Sequence, residues 1–78
     1  MKLTEAIINT PYKITQINNE DKKLLDRLLS FGITKGSVIT PIHYSAKKST
    51  LAIKIQNSQI ALRYCEAHQI QVELFCND

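Results

Sequence analysis

The second half of the chain alternates apolar with polar or small residues, and this pattern limits the fold more than any other. The alternation runs through 51–55 and resumes through 60–62, with the polar pair Asn57-Ser58 between the two runs. A period of two is typical of strands with one buried face, and a polar pair between two such runs predicts a tight antiparallel hairpin. A slip of one residue would turn one apolar set toward water, so we expect a fixed register. With Asn57-Ser58 as the loop, the buried pairs are Ile55 with Ile60 and Ile53 with Leu62.

Three further segments have strand character: Tyr12–Ile17, Ser37–Tyr44 and a last run in which Ile70, Val72 and Leu74 alternate with Gln71, Glu73 and Phe75. In the second, Val38, Thr40, Ile42 and Tyr44 are assigned to one face and Ile39, Pro41 and His43 to the other. Proline lacks the N–H that a sheet ladder needs, so we expect this strand at an edge or bulged at Pro41.

One helix follows the first strand. Its apolar positions recur at helical spacing and are Leu24, Leu25, Leu28, Leu29 and Phe31. Asn18 or Asn19 is the expected N-cap, and Gly32 is expected to end the helix in a left-handed conformation with Ile33 folding back. Two shorter turns are predicted at 3–8, where Leu3 and Ile7 would cover the core, and at 64–68.

Five short strands with one helix after the first predict a mainly β fold, a small barrel with short helical turns. A chain of 78 residues is too short for two cores, so we expect a single domain over residues 1–78. Neither a signal peptide nor a membrane span is predicted, which favours the cytosol and reduced thiols. The net charge of +3 permits attraction to acidic surfaces but does not identify nucleic acid as a partner.

Chemical motifs are sparse. Cys65, Glu66 and His68 stand close together, and Cys76, His43 and Glu73 could join them around a divalent metal, but a structural zinc site usually needs two such pairs. No orienting carboxylate or oxyanion hole accompanies either cysteine, and no glycine-rich phosphate loop is present. We therefore expect no enzyme activity and no cofactor, with Cys65 and His68 as weak metal candidates.

Two blocks of sequence resemble a known family. The segment 25–39, LDRLLSFGITKGSVI, resembles the R-L-x-x-L/F-G-I-x-x-G-x-x-I signature of the ferrous iron transport protein A (FeoA) family. Ile60-Ala61-Leu62-Arg63, followed by Ala67 and Ile70-Gln71-Val72, resembles its I-A-L-R-x-x-x-A-x-x-I-x-V ending. The chain departs from the family at Lys47-Lys48-Ser49-Thr50, where a G-D-P-like turn is common, and at Asn57, where glycine is common.

The resemblance implies an SH3-like barrel in the bacterial cytoplasm, peripheral to the inner membrane through its partner. That partner would be the ferrous iron transporter FeoB, bound at its cytosolic GTP-binding domain or its membrane portion. The implied role is non-catalytic: regulating GTP hydrolysis or nucleotide exchange, or holding an assembly together. The alternatives are a metal-responsive sensor using Cys65 and His68 and, less favoured, a small basic nucleic-acid-binding barrel.

The candidate contact residues are of two kinds. The positive surface expected to meet an acidic partner comprises Arg27, Lys47, Lys48, Lys54 and Arg63, of which Arg27 and Arg63 fall in the family blocks. Ile39 and Phe75 are out of phase with their strands. Each either covers the opposite face under the helix or, if exposed, anchors a partner or a homodimer.

Overall fold

Strands make up most of the regular structure in the computed structural model, which describes residues 1–18, 20–47 and 49–75. The strands are β1 (Tyr12–Ile17), β2 (Val38–Tyr44), β3 (Thr50–Ile55), β4 (Ser58–Arg63) and β5 (Ile70–Leu74). A 3₁₀ turn (Leu3–Glu5) precedes β1, helix α1 (Lys22–Ser30) joins β1 to β2, and helix α2 (Tyr64–Ala67) joins β4 to β5. All neighbouring strands are antiparallel, in the sheet order β4-β3-β2-β1-β5. The mainly β prediction with one helix after the first strand is confirmed.

The hairpin of β3 and β4 forms as predicted but in a different register. Ile55 pairs with Ser58 and Ile53 with Ile60, so the turn residues are Gln56 and Asn57. The left-handed conformation falls on Gln56, with φ of 53°, instead of on Asn57. The register differs from the prediction by two residues along the partner strand. Because side chains alternate with a period of two, this difference leaves the apolar set on the buried face.

β2 contains the bulge expected at its proline. The pairing of β2 with β3 shifts between Pro41 and His43, so Ile42 is the extra residue. β1 and β3 flank this strand on both sides, which excludes the alternative of an edge position. The predicted grouping of its faces holds before the bulge, because Ile39 and Pro41 are buried on one side whereas Val38 and Thr40 on the other are only partly buried. Ile39 pairs with Tyr12 of β1 and is only 1% exposed, so it packs in the core.

Helix α1 begins and ends with local hydrogen bonds. Its N-cap is Asp21, not Asn18 or Asn19, and the Asp21 carboxylate accepts from the Leu24 amide at 3.0 Å. Its C-terminal turn is the predicted one: Gly32 has φ of 79°, and the Ile33 amide donates to the Leu28 carbonyl at 2.9 Å. Ile33 is buried, as the apolar residue of such a cap usually is. Asn19 lies outside the described residues.

The core lies between the sheet and the covering helices and turns. Its aliphatic members come from every strand, and Leu24 and Leu28 of α1 join them. The N-terminal segment closes one side, since the Val72 amide donates to the Met1 carbonyl at 2.7 Å and Leu3 is fully buried. Ile7 is 69% exposed, so the prediction that it covers the core was wrong. Neither helix in the described part of the chain has the length and apolar character of a transmembrane span.

Candidate functional site

The outward side of the β3–β4 hairpin carries exposed cations. Cross-strand pairing places Lys54 beside Gln59 and Thr50 beside Arg63, with the pair Ala52 and Ala61 between them. Leu51, Ile53 and Ile55 are buried on the other side of β3, so Lys54 points away from the core. We call this surface the cationic face and define it by Thr50, Ala52, Lys54, Gln59, Ala61 and Arg63. Its two alanines leave the strand backbones accessible between the two charges.

The stretch of sequence that forms this surface contains no acidic residue. Between Asp26 and Glu66 the sequence contains no aspartate or glutamate, and every charged residue in that stretch is Arg or Lys. The stretch includes all of β2, β3 and β4. The six residues of the cationic face therefore include no carboxylate, and Glu66, which lies at its edge, is paired with Arg27. This absence of acidic residues can be read from the sequence, but the sequence analysis considered only the net charge and missed it.

Arg27 has a structural role that sequence reasoning did not find. Its guanidinium forms an ion pair with the Glu66 carboxylate and donates to the Ala61 carbonyl at 3.0 Å. Glu66 Oε1 also accepts from the Arg63 amide at 2.9 Å. The side chains of Arg27 and Glu66 are 38% and 14% exposed, respectively. Arg27 thus links α1 to α2 and to the outer edge of β4, whereas it was predicted as a free partner contact.

The other predicted contact residues are distributed over several places. Lys47 is exposed in the turn after β2, and Lys48 lies outside the described residues. Phe75 follows β5, is half-buried, and donates its amide to the Pro11 carbonyl at 3.2 Å. Ile39 is a core residue, so the expectation of an exposed anchor at that position was wrong. The contact roles of Lys47 and Phe75 stay predictions.

A shallow apolar groove lies beside the C-terminal half of α1. It has a volume of about 510 Å³ and is lined by Gln16, Ile17, Leu25, Leu29, Ile33, Thr34 and Lys35. Leu29 is 57% exposed, and Phe31 is also exposed, with the Arg27 guanidinium 6.0 Å from its ring centroid. Helical spacing had assigned both residues to the core, because periodicity does not tell how much of an apolar helix face the rest of the chain covers.

The predicted metal candidates are not gathered into a site. Within residues 1–18, 20–47 and 49–75, no three His, Cys, Asp or Glu side chains are grouped around a common point. Cys65 is exposed, and His68 Nε2 lies 3.0 Å from Lys2 Nζ. The Glu66 carboxylate forms an ion pair with Arg27. Cys76, which the sequence analysis added to this set, lies outside the described residues.

Tyr44 has a perturbed ionisation. Its hydroxyl donates to the Thr4 carbonyl at 3.0 Å, which ties β2 to the N-terminal turn. Burial raises the pKa of Tyr44 above its ordinary value, and repulsion from Tyr64, whose ring centroid lies 6.3 Å away, raises this pKa further. Since the hydroxyl donates to a backbone carbonyl, and burial is the larger cause of the raised pKa, we assign Tyr44 a structural role.

Comparison with known proteins finds relatives of this chain in sequence and in structure. A Helicobacter pylori protein (strain ATCC 700392 / 26695), named Fe(2+) transport protein A, is 45% identical over 73 residues, covering 94% of this chain and 96% of that protein. The solution structure of a FeoA-like protein from Clostridium acetobutylicum superposes with a TM-score of 0.85 at 24% identity, covering 100% of this chain and 90% of that chain.

A manganese-dependent transcriptional repressor also superposes, with a TM-score of 0.87 at 17% identity, over 96% of this chain and 41% of that chain. At identities below 25%, both of these structural likenesses show the fold alone. The structural neighbours confirm the predicted SH3-like barrel. A match to the FeoA domain spans residues 1–74, and together with the identity to the transport protein it shows that this chain belongs to the FeoA domain family.

Proposed function

We propose that this protein is a non-catalytic accessory of ferrous iron uptake that binds the cytosolic region of the transporter FeoB through its cationic face. The family membership supports the process, because the relatives are named for Fe(2+) transport. The observation that carries the contact surface is the exposed pair Lys54 and Arg63 in a region of chain without carboxylates. Such a face attracts an acidic partner and disfavours basic ones.

Binding, and not catalysis, is the chemistry that this surface supplies. Lys54 and Arg63 are long cations on a rigid hairpin, held in place by buried side chains beneath them. They can form ion pairs and hydrogen bonds with a partner's carboxylates, and Ala52 and Ala61 allow that partner to approach the backbone. Contacts of this kind set association rate and specificity, and they weaken as salt concentration rises.

The test is calorimetric titration of this protein into the purified cytosolic GTP-binding domain of its transporter. The titration is run with a GTP analogue, with GDP and without nucleotide. We expect binding in at least one state. Dependence on nucleotide identifies a regulator coupled to the GTPase cycle, and equal affinity in all states identifies a scaffold. Absence of binding in every state contradicts the proposal.

A charge-reversal variant tests the surface itself. We expect K54E/R63E to lose about tenfold or more in affinity, equivalent to about 1.4 kcal/mol, since two attractive contacts become repulsive. The matched control is K22E/K23E, which makes the same change in net charge at exposed positions of α1. Equal losses in the two variants would reduce the effect to net charge alone and contradict a contact at the cationic face.

A further inference from the structure

β4 lies at an edge of the sheet, and its backbone groups point alternately toward β3 and away from it. Among the described residues, only β3 pairs with this strand. The turn at Gln56 and Asn57 makes Ile55 and Ser58 the first hydrogen-bonded pair of the hairpin. The backbone groups of Ile60 and Leu62 therefore also face β3, and those of Gln59, Ala61 and Arg63 face outward.

The C-terminal half of this outward edge is closed by side chains. The Ala61 carbonyl accepts from the Arg27 guanidinium, and the Arg63 amide donates to the Glu66 carboxylate. Both contacts belong to the single ion pair of Arg27 and Glu66. This pair satisfies backbone groups that would otherwise be free to pair with another chain, a common protection of edge strands.

The N-terminal half of the edge is open. The Gln59 amide and carbonyl and the Ala61 amide make no hydrogen bond to the described residues. The segment Ser58–Ala61 has no proline and no charged side chain, so it lacks the features that usually block strand addition. Ile60, within it, is only partly buried and would gain contacts from a covering strand.

We infer that Ser58–Ala61 binds an extended segment of the partner by strand addition, with acidic side chains of that segment beside Lys54 and Arg63. This inference rests on the proposed function and adds that the partner is recognised as an extended strand. Main-chain hydrogen bonds to Gln59 and Ala61 supply affinity, and the cationic face selects carboxylates on the same side of the added strand. Arg27 and Glu66 limit the length of the addition by closing the rest of the edge.

Charge favours an acidic partner over a second copy of this chain. Pairing of β4 with β4 of another copy in an antiparallel arrangement would continue the sheet and join the two cationic faces. Each copy would contribute Lys54 and Arg63 to that joint surface, where the hairpins have no carboxylate. Four cations on one continuous surface repel each other, whereas an acidic strand would neutralise Lys54 and Arg63.

Residue-resolved hydrogen exchange by NMR tests the inference on the full chain, free and bound to the GTP-binding domain. We expect the amides of Gln59 and Ala61 to exchange fast in the free protein and at least about tenfold more slowly in the complex, because new hydrogen bonds protect them. The amides of Ile60 and Leu62, which already face β3, are the internal control.

Each alternative outcome contradicts the inference in a distinguishable way. Calorimetric binding without slower exchange at Gln59 and Ala61 overturns strand addition and leaves the proposed function standing. Absence of binding overturns both. If, without the partner, the Gln59 and Ala61 amides become more protected as protein concentration increases, a second copy is the occupant. This result overturns the acidic partner.

A proline substitution gives an independent test. A61P removes the outward amide and keeps the hydrogen bonds to β3, since prolines are tolerated on edge strands where the N–H faces away from the sheet. We expect an affinity loss of about tenfold or more. The matched control is A46P, in the exposed turn after β2, which is expected to bind like the native chain. Retained protection of the Ile53 amide, which pairs with Ile60, shows that A61P is folded. Native affinity in folded A61P refutes the inference.

Discussion

Truncation of Leu28 tests whether helix α1 is held by its buried side chains. Leu28 is 0% exposed, and it and Leu24 are the only residues of α1 in the core among those described. Leu28→Ala removes apolar atoms from a fully packed site and leaves a cavity, with a cost of about 2.7–5 kcal/mol for comparable leucines. Its carbonyl, which caps the helix by accepting from Ile33, stays in place because truncation alters only the side chain.

That cost is large for a chain of this length. Domains have about 0.05–0.15 kcal/mol of stability per residue, so about 4–12 kcal/mol is expected for this chain. A loss of about 3 kcal/mol would lower Tm by about 12–24 °C. Urea denaturation followed by circular dichroism measures the change, with an unchanged slope indicating that the folded state keeps its compactness.

The matched control is Leu29→Ala, the same chemical change at the next residue. Leu29 is 57% exposed, and alanine is at least as good a helix former, so we expect a change within about 0.5 kcal/mol. Equal destabilisation by the two substitutions would refute the reasoning, since it would mean that burial does not determine which residues anchor α1.

Three further predictions concern local contacts. Gly32→Ala is expected to cost about 1–2 kcal/mol in urea denaturation, because φ is 79° although an added Cβ would meet nothing within 4 Å; a neutral result would contradict a left-handed cap. Glu66→Ala should cost about 1–2 kcal/mol by losing the Arg27 ion pair and a backbone acceptor, and Glu66→Gln less, because an amide oxygen still accepts; similar costs would contradict the role of charge. Burial and Tyr64 raise the pKa of Tyr44, so the stability this group contributes is present below pH 10.0 and lost as pH rises through its folded pKa. Tyr44→Phe should flatten that decline in denaturation measured across alkaline pH, and an unchanged slope would contradict it.

If the proposed strand addition is correct, the Arg27 and Glu66 pair connects stability to binding. The same side chains fasten α1 to α2 and limit how much of β4 remains available. Breaking the pair would free the Ala61 carbonyl and the Arg63 amide as well. The exposed edge would then be longer, so we expect Glu66→Ala to leave room for a longer added strand.

The sequence alone determined the features that depend on neighbours along the chain. Alternation over 51–55 and 60–62 predicted the hairpin and its buried face, because successive side chains of a strand point to opposite faces of the sheet. Gly32 and Ile33 predicted the end of α1, since a left-handed cap requires only a few consecutive residues. Pro41 likewise predicted either an edge strand or a bulge, because its missing amide disrupts any ladder in which it stands, and the bulge is what forms.

Tertiary structure decided everything that depends on which distant segments meet. Registers that differ by two residues place the same side chains on the buried face. The pattern therefore could not distinguish a turn at Asn57-Ser58 from one at Gln56-Asn57. Periodicity marked Leu28 and Leu29 alike, and only packing determined that one is buried and the other exposed. Arg27 and Glu66 are separated by most of the sheet in sequence, so their ion pair, and the edge of β4 that it partly closes, follow only from the folded arrangement.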